Sequence, residues 1–354
     1  MMHISGDNDE HRRCVAACGV QGVYALEDDQ TERRARAWWE SFHFRKREVL
    51  KFRCECVLCR TNILNFGSNN SSCCTYGAIL EHAPPPGAGA RRHPSAPRYI
   101  VAFRGTLTRH ATIFADMHLN LKILVNRQHA CGRFGHARDA VGSLLRSIAA
   151  TTAGGKRSDV WLAGHSLGAS IALDVGRDMA RGGCYVPTFL FNPPQVSLAP
   201  GMLPPVLNRV AKGVIYPTSY AVKAALGKTV MRSLERDMEE LFEKLAPWVP
   251  EIYVHEKDVI CRGFIDYFEQ RQKMLDRFRR VAKVGMKLSF RDMHVHIHSS
   301  NPANGEDLRG RPHLLPSARL WKNSSGDDPH GLLQWWQPDS KLKLIPTRYS
   351  CHGS

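Results

Sequence analysis

The stretch that decides the fold is residues 159–170, which read DVWLAGHSLGAS. The apolar run at 160–163, which follows Asp159, predicts a buried strand, and the spacing of apolar residues over 167–181 predicts a helix directly after it. Between them lies the pattern Gly164-x-Ser166-x-Gly168, on the strand–turn–helix that a nucleophile elbow requires. In such a turn the serine hydroxyl stands clear of the sheet, and the two glycines leave room for neighbouring backbone. The pattern therefore predicts an α/β protein with a serine nucleophile.

Further strands and helices alternate around this turn. Short apolar runs predict strands over 98–103, 188–191 and 252–254, and helical spacing appears over 134–150. Alternating strands and helices indicate a mostly parallel central sheet with helices on both faces, as in the α/β-hydrolase fold. Two insertions interrupt this pattern. Residues 60–97, rich in Asn, Ser, Pro and Gly, predict a disordered insertion, and apolar residues recurring every four positions within 198–250 predict a helical cap or lid.

Composition and charge limit the class of protein. The 354 residues are 43% apolar and 23% charged, which is typical of a globular chain. No run approaches the roughly 18 apolar residues of a membrane span, and the first residues lack a secretory signal, so we expect a cytoplasmic protein. The formal charge of +16 is compatible with a peripheral contact with an anionic membrane. No nucleic-acid motif accompanies the charge, so we expect no nucleic-acid partner, and we interpret the basic pattern over 271–287 as a solvated helix face.

The cysteines predict free thiols. Their number, 11, is odd, and a chain without a secretory signal is expected in a reducing compartment. Five of them cluster between positions 54 and 74, namely Cys54, Cys56, Cys59, Cys73 and Cys74. Thiolates are ligands that zinc prefers, but the paired C-x-x-C spacing of structural zinc sites is missing. We therefore expect unpaired cysteines there, and no metal or cofactor in the protein.

A serine nucleophile needs a base, and the base needs a carboxylate that orients it. In an α/β-hydrolase the acid follows a strand, and Asp258 follows the predicted strand 252–254. Asp258 could instead be an ordinary turn or N-cap aspartate, and Asp266 is an alternative acid that lies in a helical pattern. Five histidines follow Asp258: His294, His296, His298, His313 and His330. The first three alternate, which predicts a polar strip on one strand face, and the residues alone do not separate His313 from His330.

Two backbone N–H groups are candidates for stabilising the oxyanion. Leu167 opens the helix after Ser166, where N–H groups and the positive end of the helix dipole face the reaction. A second donor should come from the loop after an earlier strand, and Arg104-Gly105-Thr106 follows the strand that ends at Phe103. We expect the Thr106 N–H, together with its hydroxyl, to supply it.

The motifs together resemble a known family. The segments FRGT at 103–106 and GHSLG at 164–168 resemble the class 3 (fungal-type) lipase-like α/β-hydrolases. Five further segments resemble a plant group of lipase-like proteins that is commonly labelled GDSL esterase/lipase, although its nucleophile motif is G-H-S-L-G. They are VQGVY at 20–24, WWESFHF at 38–44, FNPP at 191–194, LLPSA at 314–318 and HGLLQWW at 330–336. The resemblance spans residues 12–345 and implies one lipase-like domain.

The resemblance also implies an activity and a set of residues. It implies a serine hydrolase of carboxylic esters, with lipid or acyl esters as substrates and an acyl-enzyme intermediate. It assigns Ser166 as nucleophile, Asp258 as acid and His330 as base. The competing hypotheses are a catalytically weak or inactive binding or signalling protein that keeps the fold, and a basic binder of nucleic acid or membranes that rests on charge alone.

Overall fold

The computed structural model describes residues 8–28, 38–53, 74–83, 95–106, 131–151, 159–195, 205–298 and 314–350. These residues form one eight-stranded sheet in which the spatial order of the strands is their order along the chain. The strands are β1 (Phe44–Phe52), β2 (Cys74–His82), β3 (Tyr99–Phe103), β4 (Val160–His165), β5 (Thr188–Phe191), β6 (Glu251–His255), β7 (Ala318–Asn323) and β8 (Ile345–Tyr349). Strands β3 to β7 pair in parallel, whereas β1, β2 and β8 pair antiparallel at the two edges.

Helices cover both faces of the sheet. They are α1 (Asp9–Asp28), α2 (Gly132–Thr151), α3 (Leu167–Arg181), α4 (Pro205–Thr229), α5 (Arg232–Leu245), α6 (Gly263–Arg277), α7 (Arg279–Gly285) and α8 (Phe290–His298). Because parallel strands in sequential order are joined by right-handed crossovers, the connecting helices α2 and α3 fall on the same face. Helix α1 precedes the sheet and covers the opposite face together with a 3₁₀ helix at Leu332–Trp336. The mixed α/β class expected from the sequence is confirmed.

The central strands are buried on both faces, which explains their apolar sequences. Along β4, Leu162 packs in the core beneath α2 and α3, whereas Trp161 and Ala163 pack in the second core beneath α1. All six residues of β4 and all five of β3 are buried. A strand with two buried faces has no solvent side, so its hydrophobicity is continuous and does not alternate.

The structure corrects the prediction of one disordered insertion over 60–97. Residues 74–82 form β2, which lies between β1 and β3 and is buried from Thr75 to Leu80. The parts of this segment at 60–73 and 84–94, together with Cys54, Cys56, Cys59 and Cys73, lie outside the described residues. Within the described part of the chain, no cluster of His, Cys, Asp and Glu side chains could hold a metal ion.

One further prediction of local structure is wrong. His294, His296 and His298 lie on the helix α8, not on a strand, so alternate residues do not share a face there. The strands β7 and β8 follow later in the chain. The basic stretch 271–287 spans α6 and α7, with a break at Phe278. Helices α4 and α5 occupy the predicted cap region 198–250. None of the described helices has the length and apolar character needed to cross a bilayer.

Candidate active site

Ser166 lies in a strained turn between β4 and α3. Its backbone has φ 52° and ψ −123°, a positive φ that a non-glycine residue rarely adopts. The flanking backbone is in close contact. A Cβ atom on Gly164 would lie 2.2 Å from the Gly168 carbonyl oxygen, and one on Gly168 would lie 2.2 Å from the Phe103 carbonyl oxygen. Glycine at 164 and 168 is therefore a steric requirement of this turn, and the Ser166 N–H donates to the Phe191 carbonyl at 2.9 Å.

His330 lies beside the serine. Its Nε2 is 3.0 Å from the Ser166 Oγ, and its Nδ1 is 2.8 Å from the Asp258 Oδ2. A carboxylate only accepts hydrogen bonds, so Nδ1 carries the proton and Nε2 is free to accept the Ser166 hydroxyl proton. Of the histidines left open by the sequence, His313 lies outside the described residues, and the other three are on α8. The structure thus brings together Ser166, His330 and Asp258, which are 72 to 164 residues apart in sequence.

The Asp258 carboxylate is buried and fully engaged in hydrogen bonds. Its Oδ1 accepts from the Ile260 N–H at 2.9 Å, and its Oδ2 accepts from both His330 and the Asn192 amide. Burial alone would raise the pKa of this carboxyl, but the hydrogen bond and charge of His330 and bonds from Cys261 and Ile260 outweigh it and lower the pKa to about 2. Asp258 is therefore ionised throughout the neutral range. The alternative acid, Asp266, lies in the first turn of α6.

Asn192 is a site residue that the sequence analysis did not single out. Its side chain is fully buried, and its amide donates to the Asp258 carboxylate at 2.8 Å and to the Pro329 carbonyl, next to His330, at 2.9 Å. Its side-chain oxygen accepts from the Trp335 indole N–H. The backbone φ is 46°, which asparagine tolerates better than most residues. Its place at the end of β5, before two prolines, was the available signal, but the partners it joins are far away in sequence.

The predicted oxyanion donors lie on both sides of Ser166. Leu167 begins α3, where the first N–H groups have no acceptor within the helix. On the other side, a Cβ atom on Gly105 would lie 2.8 Å from the Ser166 Cβ, so this loop is packed against Ser166. The adjacent Thr106 hydroxyl is buried, and no described group forms a hydrogen bond with it.

Arg104 holds this loop and was also missed as a site residue. Its buried guanidinium donates to the Thr75 carbonyl at 2.6 Å and to the Gly105 carbonyl at 2.8 Å, and it lies 3.4 Å from the Glu27 carboxylate. A planar group with several fixed donors can orient a peptide in this way. Arg104 therefore fixes the direction of the Gly105 carbonyl beside Ser166.

Comparison with known proteins identifies the family. No protein-family model matches the chain, and no solved structure matches it. A curated protein of Arabidopsis thaliana, named GDSL esterase/lipase At4g10955, is 32% identical over 368 aligned positions, which cover 98% of this chain and 94% of the relative. The alignment therefore spans nearly the whole chain, including the segments that carry the site described above. The chain belongs to the GDSL esterase/lipase family that this Arabidopsis protein represents.

Proposed function

We propose that the protein hydrolyses carboxylic esters, with Ser166 as nucleophile, His330 as general base and Asp258 as the acid that orients it. The observation that carries this proposal is the continuous hydrogen-bonded line from the Ser166 Oγ through the His330 ring to the Asp258 carboxylate, at 3.0 and 2.8 Å. Membership of an esterase/lipase family supports the same reaction class. The letters GDSL occur nowhere in the chain, and the nucleophile we propose lies in GHSLG at 164–168.

The mechanism follows from the order of these groups. The Ser166 hydroxyl attacks the ester carbonyl while its proton passes to His330 Nε2, and the ionised Asp258 stabilises the imidazolium that forms. The Leu167 N–H and the Thr106 N–H and hydroxyl would stabilise the negative oxygen of the tetrahedral intermediate. His330 then protonates the departing alcohol, which leaves an acyl group on Ser166. A water molecule, deprotonated by His330, releases the acid and restores the serine.

We further propose that residues 12–345 are one α/β-hydrolase domain of the class 3 (fungal-type) lipase-like kind. The order of the site along the chain supports this: Ser166 follows β4, Asp258 follows β6 and His330 follows β7, as nucleophile, acid and base do in that fold. Helices α4 and α5 are inserted between β5 and β6, and we propose them as the cap over an acyl pocket. Helix α4 leaves apolar side chains exposed, including Val214 and Ile215, which suits an apolar substrate. The cytoplasmic location stays a prediction.

We also propose that the junction of α6 and α7 contacts an anionic membrane surface. Phe278 lies between the two helices, and its side chain is 45% exposed. The Arg277 guanidinium is 6.0 Å from the centre of the Phe278 ring. Five exposed cations lie within five positions of Phe278 along the chain, and no described acidic side chain forms an ion pair with them: Lys273, Arg277, Arg279, Arg280 and Lys283. An exposed aromatic ring within a cluster of cations is the combination that inserts into the interface of an anionic bilayer.

Vesicle sedimentation tests this membrane contact. We expect the protein to bind vesicles that contain phosphatidylserine and not those of phosphatidylcholine alone, with binding weakened by Phe278→Ser and by the pair Arg277→Glu and Arg280→Glu. The pair Lys341→Glu and Lys343→Glu, which changes two exposed cations elsewhere, is the control and should leave binding unchanged. Equal losses in both pairs, or retention by duplex DNA without retention by vesicles, would overturn the proposal.

Hydrolysis of short p-nitrophenyl esters tests the proposed reaction. We expect Ser166→Ala and His330→Gln to lower kcat by about 10⁴-fold or more, because the three residues act as one unit. Ser233→Ala, an exposed serine on α5, is the matched control and should keep the wild-type rate. A folded wild type with no hydrolysis would favour the hypothesis of a binding or signalling protein. If the wild type hydrolyses these esters, a series of p-nitrophenyl esters of increasing acyl length identifies its preferred substrate.

A further inference from the structure

A second line of hydrogen bonds runs through the site, separate from the one that contains Ser166. The Gly105 N–H lies 2.8 Å from the Tyr24 hydroxyl oxygen, and the same hydroxyl lies 2.8 Å from His165 Nδ1. The His165 Nε2 lies 2.8 Å from the backbone carbonyl oxygen of His330. The line therefore begins in the loop that carries Thr106 and ends on the backbone of the proposed base.

The direction of every bond in this line is determined by its two ends. The Gly105 N–H can only donate, so the Tyr24 oxygen accepts there and its own proton is free for His165 Nδ1. The carbonyl of His330 can only accept, so His165 Nε2 carries the proton. His165 must then be neutral, with Nδ1 as acceptor. One arrangement of protons satisfies all three bonds.

Burial maintains that arrangement. Burial, together with the charge of His330, lowers the pKa of His165 to about 3, so its ring stays neutral. Burial raises the pKa of Tyr24 to about 12, so its hydroxyl keeps its proton. The His165 ring packs on both neighbours, with ring centres 5.9 Å from Tyr24 and 5.1 Å from His330. The line is therefore a fixed part of the folded protein at neutral pH.

We propose that Tyr24 and His165 are positioning residues that hold the His330 loop and the Gly105–Thr106 loop in register on the two sides of Ser166. His165 precedes Ser166 on β4, so the tether is anchored directly beside the nucleophile. Helix α1, which carries Tyr24, thereby contributes to the site although it comes first in the chain. The role of the tether in catalysis rests on the proposed function, whereas its role in ordering the two loops does not.

Steady-state kinetics of two variants test the catalytic part. We expect Tyr24→Phe and His165→Gln each to lower kcat by about 10- to 100-fold with KM changed less than about threefold, because the reacting groups are misplaced while the pocket is kept. The double variant should be no slower than the slower single variant, since both changes break one line. Tyr185→Phe is the matched control, because that exposed hydroxyl makes only a 3.4 Å bond to a carbonyl.

A purely structural role would give a different pattern. The melting temperature would fall in Tyr24→Phe while kcat, measured well below it, stayed at the wild-type value, and this result would overturn the proposal. Independent losses that multiply in the double variant would also overturn it. The acid limb of the pH profile of kcat should keep its midpoint in Tyr24→Phe, because the variant changes position and not charge.

Hydrogen–deuterium exchange separates failure of the tether from failure of the proposed function. Without any substrate, we expect backbone exchange at 327–331 and 104–106 to be at least several-fold faster in Tyr24→Phe than in the wild type or in Tyr185→Phe. Unchanged exchange in both loops would refute the tether even in an active enzyme. An inactive wild type with faster exchange in the variant would refute the proposed function and leave the tether standing.

Discussion

The Asn192 amide donates a hydrogen bond to Asp258. The substitution Asn192→Asp replaces this amide with a carboxylate, which has the same shape but only accepts hydrogen bonds. The amide nitrogen lies 2.8 Å from the Asp258 Oδ2 and 2.9 Å from the Pro329 carbonyl oxygen. An ionised carboxylate at this position would face two acceptors. Two unit charges 2.8 Å apart repel by about 6 kcal/mol at an effective dielectric constant of about 20.

This repulsion gives the variant a pH dependence with a definite sign. The carboxyl group introduced at position 192 and the Asp258 carboxyl group avoid this repulsion by keeping one proton between them, up to about pH 8. The new carboxyl therefore has a folded pKa above its unfolded value of about 3.9, and the stability of the variant is retained at low pH and lost as the pH rises. At about 1.4 kcal/mol per pH unit, the free energy of unfolding should fall by about 4 kcal/mol, relative to the wild type, between pH 5 and pH 8. The protonated carboxyl can donate to Asp258 as the amide does.

Guanidinium unfolding followed by tryptophan fluorescence measures this difference at pH 5 and pH 8. Asn192→Gly is the control, since glycine accepts the φ of 46° and loses the same hydrogen bonds without adding a charge. Its destabilisation should be the same at both pH values. A destabilisation of Asn192→Asp that differs by less than about 1 kcal/mol between the two pH values would refute the placement of Asn192 against Asp258.

Two further predictions concern the turn and the tether. Gly168→Ala would place a Cβ 2.2 Å from the Phe103 carbonyl oxygen, so we expect the free energy of unfolding to fall by about 3 kcal/mol or more. Gly213→Ala, where a Cβ would meet no atom within 4 Å, is the control and should be neutral or stabilising by up to about 1 kcal/mol. Thermal melting of both variants checks this prediction, and equal melting temperatures would contradict it. The neutral His165 contributes stability that is fully present above pH 6.5 and is lost as the pH falls toward about 3. Between pH 6.5 and pH 4.5, the free energy of unfolding should therefore fall by about 2 to 3 kcal/mol less in His165→Gln than in the wild type. The exposed His294→Gln is the control, and an identical pH slope in all three proteins would count against a buried neutral His165.

The sequence predicted the central strands β3 to β6, but not the edge strands β1 and β8 or their neighbours β2 and β7. Strands β3 to β6 are buried on both faces, so their sequences are continuous apolar runs. The edge strand β1 reads FRKREVLKF, because only Phe44 and Leu50 are buried and an edge strand carries charges that prevent unwanted pairing. The edge strand β8 is mostly exposed for the same reason. A pattern of hydrophobicity detects a strand only where burial imposes one.

The site divides in a similar way. Ser166, Leu167, Thr106 and Asp258 were predicted because each follows directly on a recognisable element. The residues alone did not separate His330 from His313, since a loop histidine has no local pattern, and the choice came from the resemblance to a family. Asn192, Tyr24 and His165 act through partners that are 66 to 165 residues away in sequence, so only the folded chain shows what they join.

The most direct test of the account is covalent labelling of the folded protein by a fluorophosphonate, with the modified residue located by mass spectrometry. The reagent reacts with a serine hydroxyl only when a neighbouring base activates it. We predict one adduct per chain, on Ser166, that is absent in Ser166→Ala and in the urea-unfolded protein and forms far more slowly in His330→Gln. A folded wild type that takes up no reagent, or an adduct on another serine, would contradict the claim that Ser166, His330 and Asp258 form a working catalytic triad.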